Sequence, residues 1–399
     1  MRARHVTFLI APCLLASCAS VLSEDRPSFL AEAGWLEEQA EGRLMLSGTG
    51  GFVYSPLLQG RVMTSTVDLS EPGLGFVNRE AIALRDEPAP FHNHGGVERF
   101  WIGPEGSKFS LYFEPGAPMV AERWRVPQDL DVGPFDEVAL GQMERDMVMR
   151  NRMGGAFTMR VERRVEVPTQ AEVEAVVGAV PAGSLWTAFR TVNTVTNTGE
   201  NAWARESGLP CIWLAGMFLP GERAWSILPF RTDREDPDGG PAVRSEYFGE
   251  PDAVIDEERL RFGNGFAMLR TDSELRCKVG VRRNRARDVM GAYDPDTGVL
   301  TIVHFSPIDE NAGYVDETWT TDGDPYYGDA VNSYNHSGPE TFFELESSSP
   351  ALELAPGEGH THRSTTMQFR FANEEQLATA VRTAFGIDWA EVKVLADWD

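Results

Sequence analysis

Trp186-Thr187-Ala188-Phe189-Arg190-Thr191-Val192 alternates along its length, and the turn-forming triplet Asn197-Thr198-Gly199 follows shortly after. A period of two places successive side chains on opposite faces of a strand. Asn and Gly tolerate the positive φ that a tight reversal needs. The same reading extends outward in both directions. Phe157-Thr158-Met159-Arg160-Val161-Glu162 and Phe109-Ser110-Leu111-Tyr112-Phe113 alternate, Arg61 to Val67 is rich in β-branched residues, and Gly51-Phe52-Val53-Tyr54 is a further short strand candidate. Asn264-Gly265 and Asp296-Thr297-Gly298 supply more turns. Strand, turn and strand at this spacing predict an all-β chain, a large antiparallel sandwich of stacked sheets. Strands do not alternate with long helical patterns, which disfavours a doubly wound α/β fold.

Helices are expected only at the margins. Phe29-Leu30, Gly34-Trp35-Leu36 and Glu37-Glu38 read as one amphipathic segment. Near the C-terminus Asn373 can cap a helix, with Gln376 three residues on as in a capping box. Leu377, Val381 and Phe385 share its face and Gly386 can end it, so this helix is expected to cover a sheet. No linker is evident between residues 42 and 372, and residues 28–399 read as a single domain.

The chain starts with a targeting pattern. Arg2, Arg4 and His5 precede an apolar run, Val6 to Ala16, that is too short to span a bilayer. Leu15-Ala16-Ser17-Cys18 then resembles a bacterial lipobox, with the Cys18 thiol as lipid acceptor. The expectation is a signal peptide over 1–17, a lipidated tether over 18–27 and an envelope protein, periplasmic or on the outer-membrane side, held to the membrane by its lipid alone. Formal charge is −25. Such a field disfavours nucleic acid and anionic polymers as partners. Cys211 and Cys277 would remain in an oxidising compartment, where they could pair or stay free.

Three polar clusters carry candidate chemistry. The first runs from Phe91 to Gly106 and includes His92, Asn93, His94, Gly95, Gly96, Glu98, Arg99 and Trp101. Two glycines can let backbone approach a ligand. Glu98 and Arg99 can hydrogen-bond hydroxyls, and Trp101 can stack on an apolar ring face. His92, His94 and Glu98 also have a metal-ligand spacing that resembles the first cupin motif. The faint second motif, Pro356-Gly357 with His360, lies too far along the chain for a compact cupin barrel, so neither a metal nor another cofactor is expected. The second cluster, Asp324 to His336, offers Asp329, Asn332 and Tyr334, which are acceptor, amide and phenol groups suited to sugar hydroxyls. The third is Phe342-Phe343-Glu344-Leu345-Glu346-Ser347. Alternation sets Glu344 and Glu346 on one strand face, ~7 Å apart, where like charges raise each other's pKa.

Taken together these segments resemble the galactose mutarotase-like supersandwich of the aldose epimerases. Asn78-Arg79 precedes His94-Gly95-Gly96, and Leu345-Glu346-Ser347 is followed by Leu352-Glu353-Leu354, read as an apolar strand, then Pro356-Gly357-Glu358 and Thr365-Thr366-Met367-Gln368-Phe369. The resemblance implies that Glu346 is a general base, that His94 binds substrate, and that Asn78 and Arg79 belong to the same site. A closer likeness is to an uncharacterised family of exported mutarotase-like bacterial proteins. It rests on Gln59 to Ser65, Arg99 to Gly106, Gly328-Asp329 with Asn332 to Asn335, and Glu344 to Pro350. One departure stands out. The epimerase general acid sits in a His-x-Tyr-Phe-Asn segment, whereas Leu209 to Phe218 here contains no histidine. The expectation is therefore a carbohydrate-binding lipoprotein with base chemistry available at Glu346. The alternative is an envelope scaffold whose cleft is vestigial.

Overall fold

The computed structural model describes residues 26–236, 240–248 and 255–398. The lipobox, Cys18 and most of the tether lie outside these residues. Three antiparallel sheets form the body. The largest has ten strands, in the order Leu260–Gly263, Phe266–Arg270, Trp225–Pro229, Val289–Asp294, Val299–Phe305, Gly359–Arg370, Leu185–Asn197, Ala156–Glu166, Gln142–Arg150 and Asp136–Ala139. The second has six, in the order Val243–Arg244, Cys277–Arg282, Asp329–Asn335, Phe343–Ser348, Cys211–Phe218 and Arg99–Gly103. The third is a meander of Arg43–Ser47, Gly50–Ser55 and Arg61–Thr66.

The stretch that opened the reading lies at the centre. Leu185–Asn197 pairs with Gly359–Arg370 on one side and Ala156–Glu166 on the other. The six-stranded sheet lies on the ten-stranded one. Leu214, Phe218 and Leu345 meet Met290, Val303 and Thr366 in the space between them. Helices cover the outer side of the ten-stranded sheet. Val381 and Phe385 of helix Glu374–Phe385 bury completely against strand residues such as Ile302 and Met367. Each such side chain contributes ~1.5–3 kcal/mol by leaving water. Asn373 caps this helix and Gly386 ends it in the left-handed conformation, as the sequence predicts.

Several elements differ from expectation. Phe109 to Phe113 is a buried series of turns. The Ser110 hydroxyl binds the Glu105 carbonyl and accepts from the Tyr112 N–H, so local side-chain bonds replace a ladder. Leu352 to Leu354 runs without a ladder of its own, its backbone tied to Pro210 and Trp203. Four helices escaped the sequence reading: the short Arg79–Ala83 and Gln128–Asp131, Gln170–Val177 with a full Thr169/Glu172 capping box, and Trp389–Ala396, capped by Asp388. Cys211 and Cys277 are both free and buried. Their strands are separated by two others, ~14 Å at the usual ~4.8 Å strand spacing, too far for a bridge. Among the described residues no helix is long and apolar enough to cross a membrane.

Candidate functional site

Strand register decides which side chains face outward from the six-stranded sheet. Trp101 pairs with Trp213, Arg99 with Ala215, Ala215 with Glu346, and Glu346 with Asn332. Met217 pairs with Glu344, Glu344 with Tyr334, and Tyr334 with Lys278. Directly opposed residues share a face. Arg99, Trp101, Trp213, Glu344, Glu346, Tyr334 and Lys278 therefore stand together on the side away from the ten-stranded sheet. Phe100, Leu214 and Leu345, one residue along, point into the sandwich.

These side chains floor a cavity of about 250 Å³. Its walls are aromatic: Phe91, Trp124, Phe248, Trp319 and Phe342 join Trp101 and Trp213. Asn93, Glu105, Arg276, His336 and Glu340 add polar edges. The volume is just below the ~300–1,000 Å³ usual for small-molecule sites, so it suits one small ring.

Two ion pairs hold the floor. Lys278 Nζ lies 2.8 Å from Glu346 Oε2, and Trp213 Nε1 donates to the same oxygen at 2.9 Å. Arg99 donates to Glu344 at 2.9 Å and its guanidinium lies 3.9 Å from the Trp101 ring centre. Burial would pull the Lys278 ammonium down, but Glu346 and Glu105 outweigh it and the group stays charged. Burial pushes the Glu344 carboxyl up, against the opposing pull of Arg99 and with help from Glu346. The sequence pointed to mutual repulsion between the two glutamates. Desolvation is the larger cause, and each carboxylate has its own cation.

Among the wall residues, Nε1 of Trp101, Nε1 of Trp124 and Oδ1 of Asn93 have no protein partner. Glu346 Oε1 and Arg99 Nε on the floor are likewise unpartnered. Buried polar groups are ordinarily satisfied, so this cluster of donors and acceptors is unusual.

All three sequence clusters reach the cavity, but only part of each does. Arg99, Trp101, Tyr334 and Glu346 line it, whereas His92, His94, Glu98, Asn78, Arg79, Asp329 and Asn332 do not. His94 is fully buried and neither ring nitrogen has a partner. Burial and the nearby Arg61 charge hold it neutral, its pKa down to about 2. Its position follows from the two glycines. Gly95 and Gly96 adopt φ of 81° and 112°, and a Cβ at either would strike the Phe76 carbonyl or the Arg61 side chain. They serve backbone packing rather than a ligand's approach, and they tuck the imidazole inward while the neighbouring Asn93 lines the cavity. His92 bonds Asp131 and the Glu87 carbonyl, and Glu98 pairs with Arg163 at 3.0 Å. The metal-like spacing thus dissolves into separate contacts, and among the described residues no group of metal-ligating side chains gathers.

Asn78 caps the short helix Arg79–Ala83 and donates to Glu340 at 2.8 Å, supporting the cavity rim from behind. Arg79 sits over Trp35 on the surface. Asp329 and Asn332 belong to a second polar centre. Asn332 Nδ2 donates to the Tyr247 hydroxyl at 2.7 Å, Tyr247 donates to Asp329, and Arg244 pairs with Asp329 and Asp316. Sequence reasoning missed Lys278 and Arg276. Their signal was the alternation within Arg276-Cys277-Lys278-Val279-Gly280-Val281, in which the two cations share a parity.

This architecture is a galactose mutarotase-like β-sandwich. The chain belongs to the family of unknown function DUF6786, which residues 27–396 match. Among solved structures it is similar to a putative aldose 1-epimerase from Escherichia coli K12, with 12% identity, 82% of this chain and 98% of that chain covered, and a TM-score of 0.50. It is also similar to galactose mutarotase-like proteins from Lactobacillus casei (8% identity, 82% and 99% covered, TM-score 0.45) and Clostridium acetobutylicum (8% identity, 84% and 100% covered, TM-score 0.42). No curated protein sequence matches the chain.

Proposed function

We propose that the protein is an envelope-anchored carbohydrate-binding protein, lipidated on Cys18, whose single domain over 28–399 takes one sugar ring in the cavity above the six-stranded sheet. The observation that carries this reading is the cavity wall itself. It combines aromatic side chains with carboxylate and cation edges, and with unpartnered donors and acceptors. A sugar ring has an apolar face for indole and hydroxyls that both donate and accept, so it meets each of these demands at once. The aldose epimerase-like fold agrees with this class of ligand.

Base chemistry at Glu346 is the second reading, favoured by its position on the cavity floor with one oxygen unpartnered. Two features weigh against it. Lys278 and Trp213 both bond Oε2 of Glu346, so that oxygen is already engaged by the protein. The histidine on the wall, His336, is held neutral by burial, with its pKa down to about 4, so it is not a proton donor at neutral pH. Binding is therefore the conclusion.

Calorimetric titration with a panel of aldoses and uronates tests it. Saturable binding of at least one monosaccharide is expected, together with no acceleration of its anomer exchange by NMR. Exchange that is accelerated by wild type and lost in Glu346→Gln would establish the second reading. Absence of binding by every sugar would leave the scaffold alternative.

A further inference from the structure

Of the three cations around the cavity, two are matched by a carboxylate, and the third points to a ligand. Arg99 is matched by Glu344, and Lys278 by Glu346. Arg276, the third cation on the wall, has no carboxylate within ion-pair distance among the described residues. Its guanidinium instead lies 3.5 Å from the centre of the Phe248 ring, with Trp319 and Tyr334 farther off at 5.5 and 5.9 Å. Its Nε donates to the Tyr334 hydroxyl at 3.2 Å. A guanidinium has five N–H donors, so this bond leaves the two terminal nitrogens uncommitted. The residue is half-buried, which leaves those nitrogens reachable from the cavity.

The Tyr334 hydroxyl also lies 2.9 Å from His336 Nδ1. Arginine can only donate, so the tyrosine oxygen accepts from Arg276, and we assign its own proton to the contact with His336. Nδ1 is then the acceptor, and the neutral imidazole carries its hydrogen on Nε2. Burial and the Arg276 charge hold this ring neutral. His336 is fixed further by stacking on Phe342, with ring centres 4.5 Å apart. One hydroxyl thus orients two donors on one side of the cavity, a guanidinium fork and an imidazole N–H.

We propose that Arg276, with His336 beside it, receives an anionic oxygen substituent of the sugar, and that the substituent is a carboxylate, so that the ligand is a uronic acid or uronate-terminated saccharide. The inference rests on the carbohydrate reading above and gives its ligand class. A planar carboxylate matches a single guanidinium fork bidentately. A phosphate or sulfate ester would call on the same donors, but a phosphate dianion would meet only one uncompensated cation in a wall that also carries Glu105, Glu340, Glu344 and Glu346. The strongly acidic chain also makes one unmatched guanidinium a selective feature, since nothing in the overall charge draws anions to it.

The test is titration of the wild-type protein with D-glucuronate, D-galacturonate, the corresponding neutral aldoses and glucose 6-phosphate, at low and high salt. A uronate is expected to bind at least tenfold more tightly than its neutral aldose, with that margin shrinking as salt rises. Arg276→Gln should remove the margin, and Arg276→Lys should restore only part of it. Equal affinity for uronate and aldose would overturn the proposal and leave carbohydrate binding standing. Preference for the phosphate ester would overturn the carboxylate assignment. Failure of every sugar to bind would overturn both readings. The wild-type comparison decides the matter even where a variant does not fold.

Discussion

One face of the six-stranded sheet carries two polar centres that are built from the same materials and end differently. Around Glu346, Glu344, Arg99 and Lys278 the sheet opens into a cavity. Around Asn332, directly across from Glu346, it is closed. The cover is Tyr247, whose hydroxyl sits so close to Gly280 that a Cβ there would collide with it. Tyr247, Arg244, Asp316, Asp329 and Asn332 bond one another and leave only Asp329 Oδ1 without a partner, whereas the cavity side leaves several wall and floor atoms without partners. Buried charge and amide groups alone therefore do not mark a site. The distinguishing feature is an open cavity beside the groups whose hydrogen bonds the chain leaves incomplete.

That contrast predicts different consequences for substitution in the two centres. The largest effect is expected in the closed one. Asp329→Ala removes a fully buried partner of Arg244 and Tyr247, and should cost about 3–5 kcal/mol in a urea or guanidinium denaturation series. Asp316 retains a hold on Arg244, which places the value toward the lower end. The comparison breaks if Asp329→Ala is as stable as wild type.

A smaller effect, in ligand affinity rather than stability, is expected in the open centre. Trp124 lines the cavity, is only partly buried and lacks a partner for its indole N–H. Trp124→Ala should weaken sugar binding about tenfold, in line with ~0.5–1.5 kcal/mol for an aromatic contact beyond its buried area. Its denaturation midpoint should move far less than that of Asp329→Ala. A variant that binds normally but unfolds readily would place Trp124 with the closed centre instead.

The smallest effect concerns pH. His362, buried between the sheets beside Ser347, is held neutral with its pKa down to about 3, chiefly by desolvation. In the unfolded chain it protonates near pH 6.5, so below that pH the unfolded state binds more protons and stability falls as pH drops. Glu317 acts in the opposite sense. Burial raises it to about 8 despite Lys278, so its contribution is lost as pH rises from about 4.5 to 8. Chemical denaturation at pH 5 and pH 7 should show a shallower acid loss for His362→Gln than for wild type, by up to about 1 kcal/mol per pH unit. An unchanged acid limb would remove His362 from the account.

Much of the architecture was legible because strand alternation is written locally. Trp186 to Val192, Phe157 to Glu162 and Arg61 to Thr66 all lie in the strands their patterns indicate. The parity argument that set Glu344 and Glu346 on a common face also holds, and their partners Tyr334 and Asn332 share that face. Locations that depend on tertiary packing were not legible. Gly95 and Gly96 have the composition of a ligand-binding turn, yet their positive φ serves Phe76 and Arg61 and carries His94 inward. Nor does local sequence say that Lys278 will meet Glu346 across an intervening strand, or that Tyr247 will cover Asn332. Phe109 to Phe113 alternates as a strand would, but Ser107 and Ser110 bind the nearby backbone and bend it into turns.

The central claim is that chain segments far apart in sequence converge to bind one sugar ring above Glu346. A crystal structure of the protein soaked with the tightest-binding sugar of the panel tests this most directly. The account predicts a ring against Trp101 or Trp124, with hydroxyls on Glu346, Arg99 and Asn93. Ordered sugar at another surface, with the cavity holding only water, would contradict it.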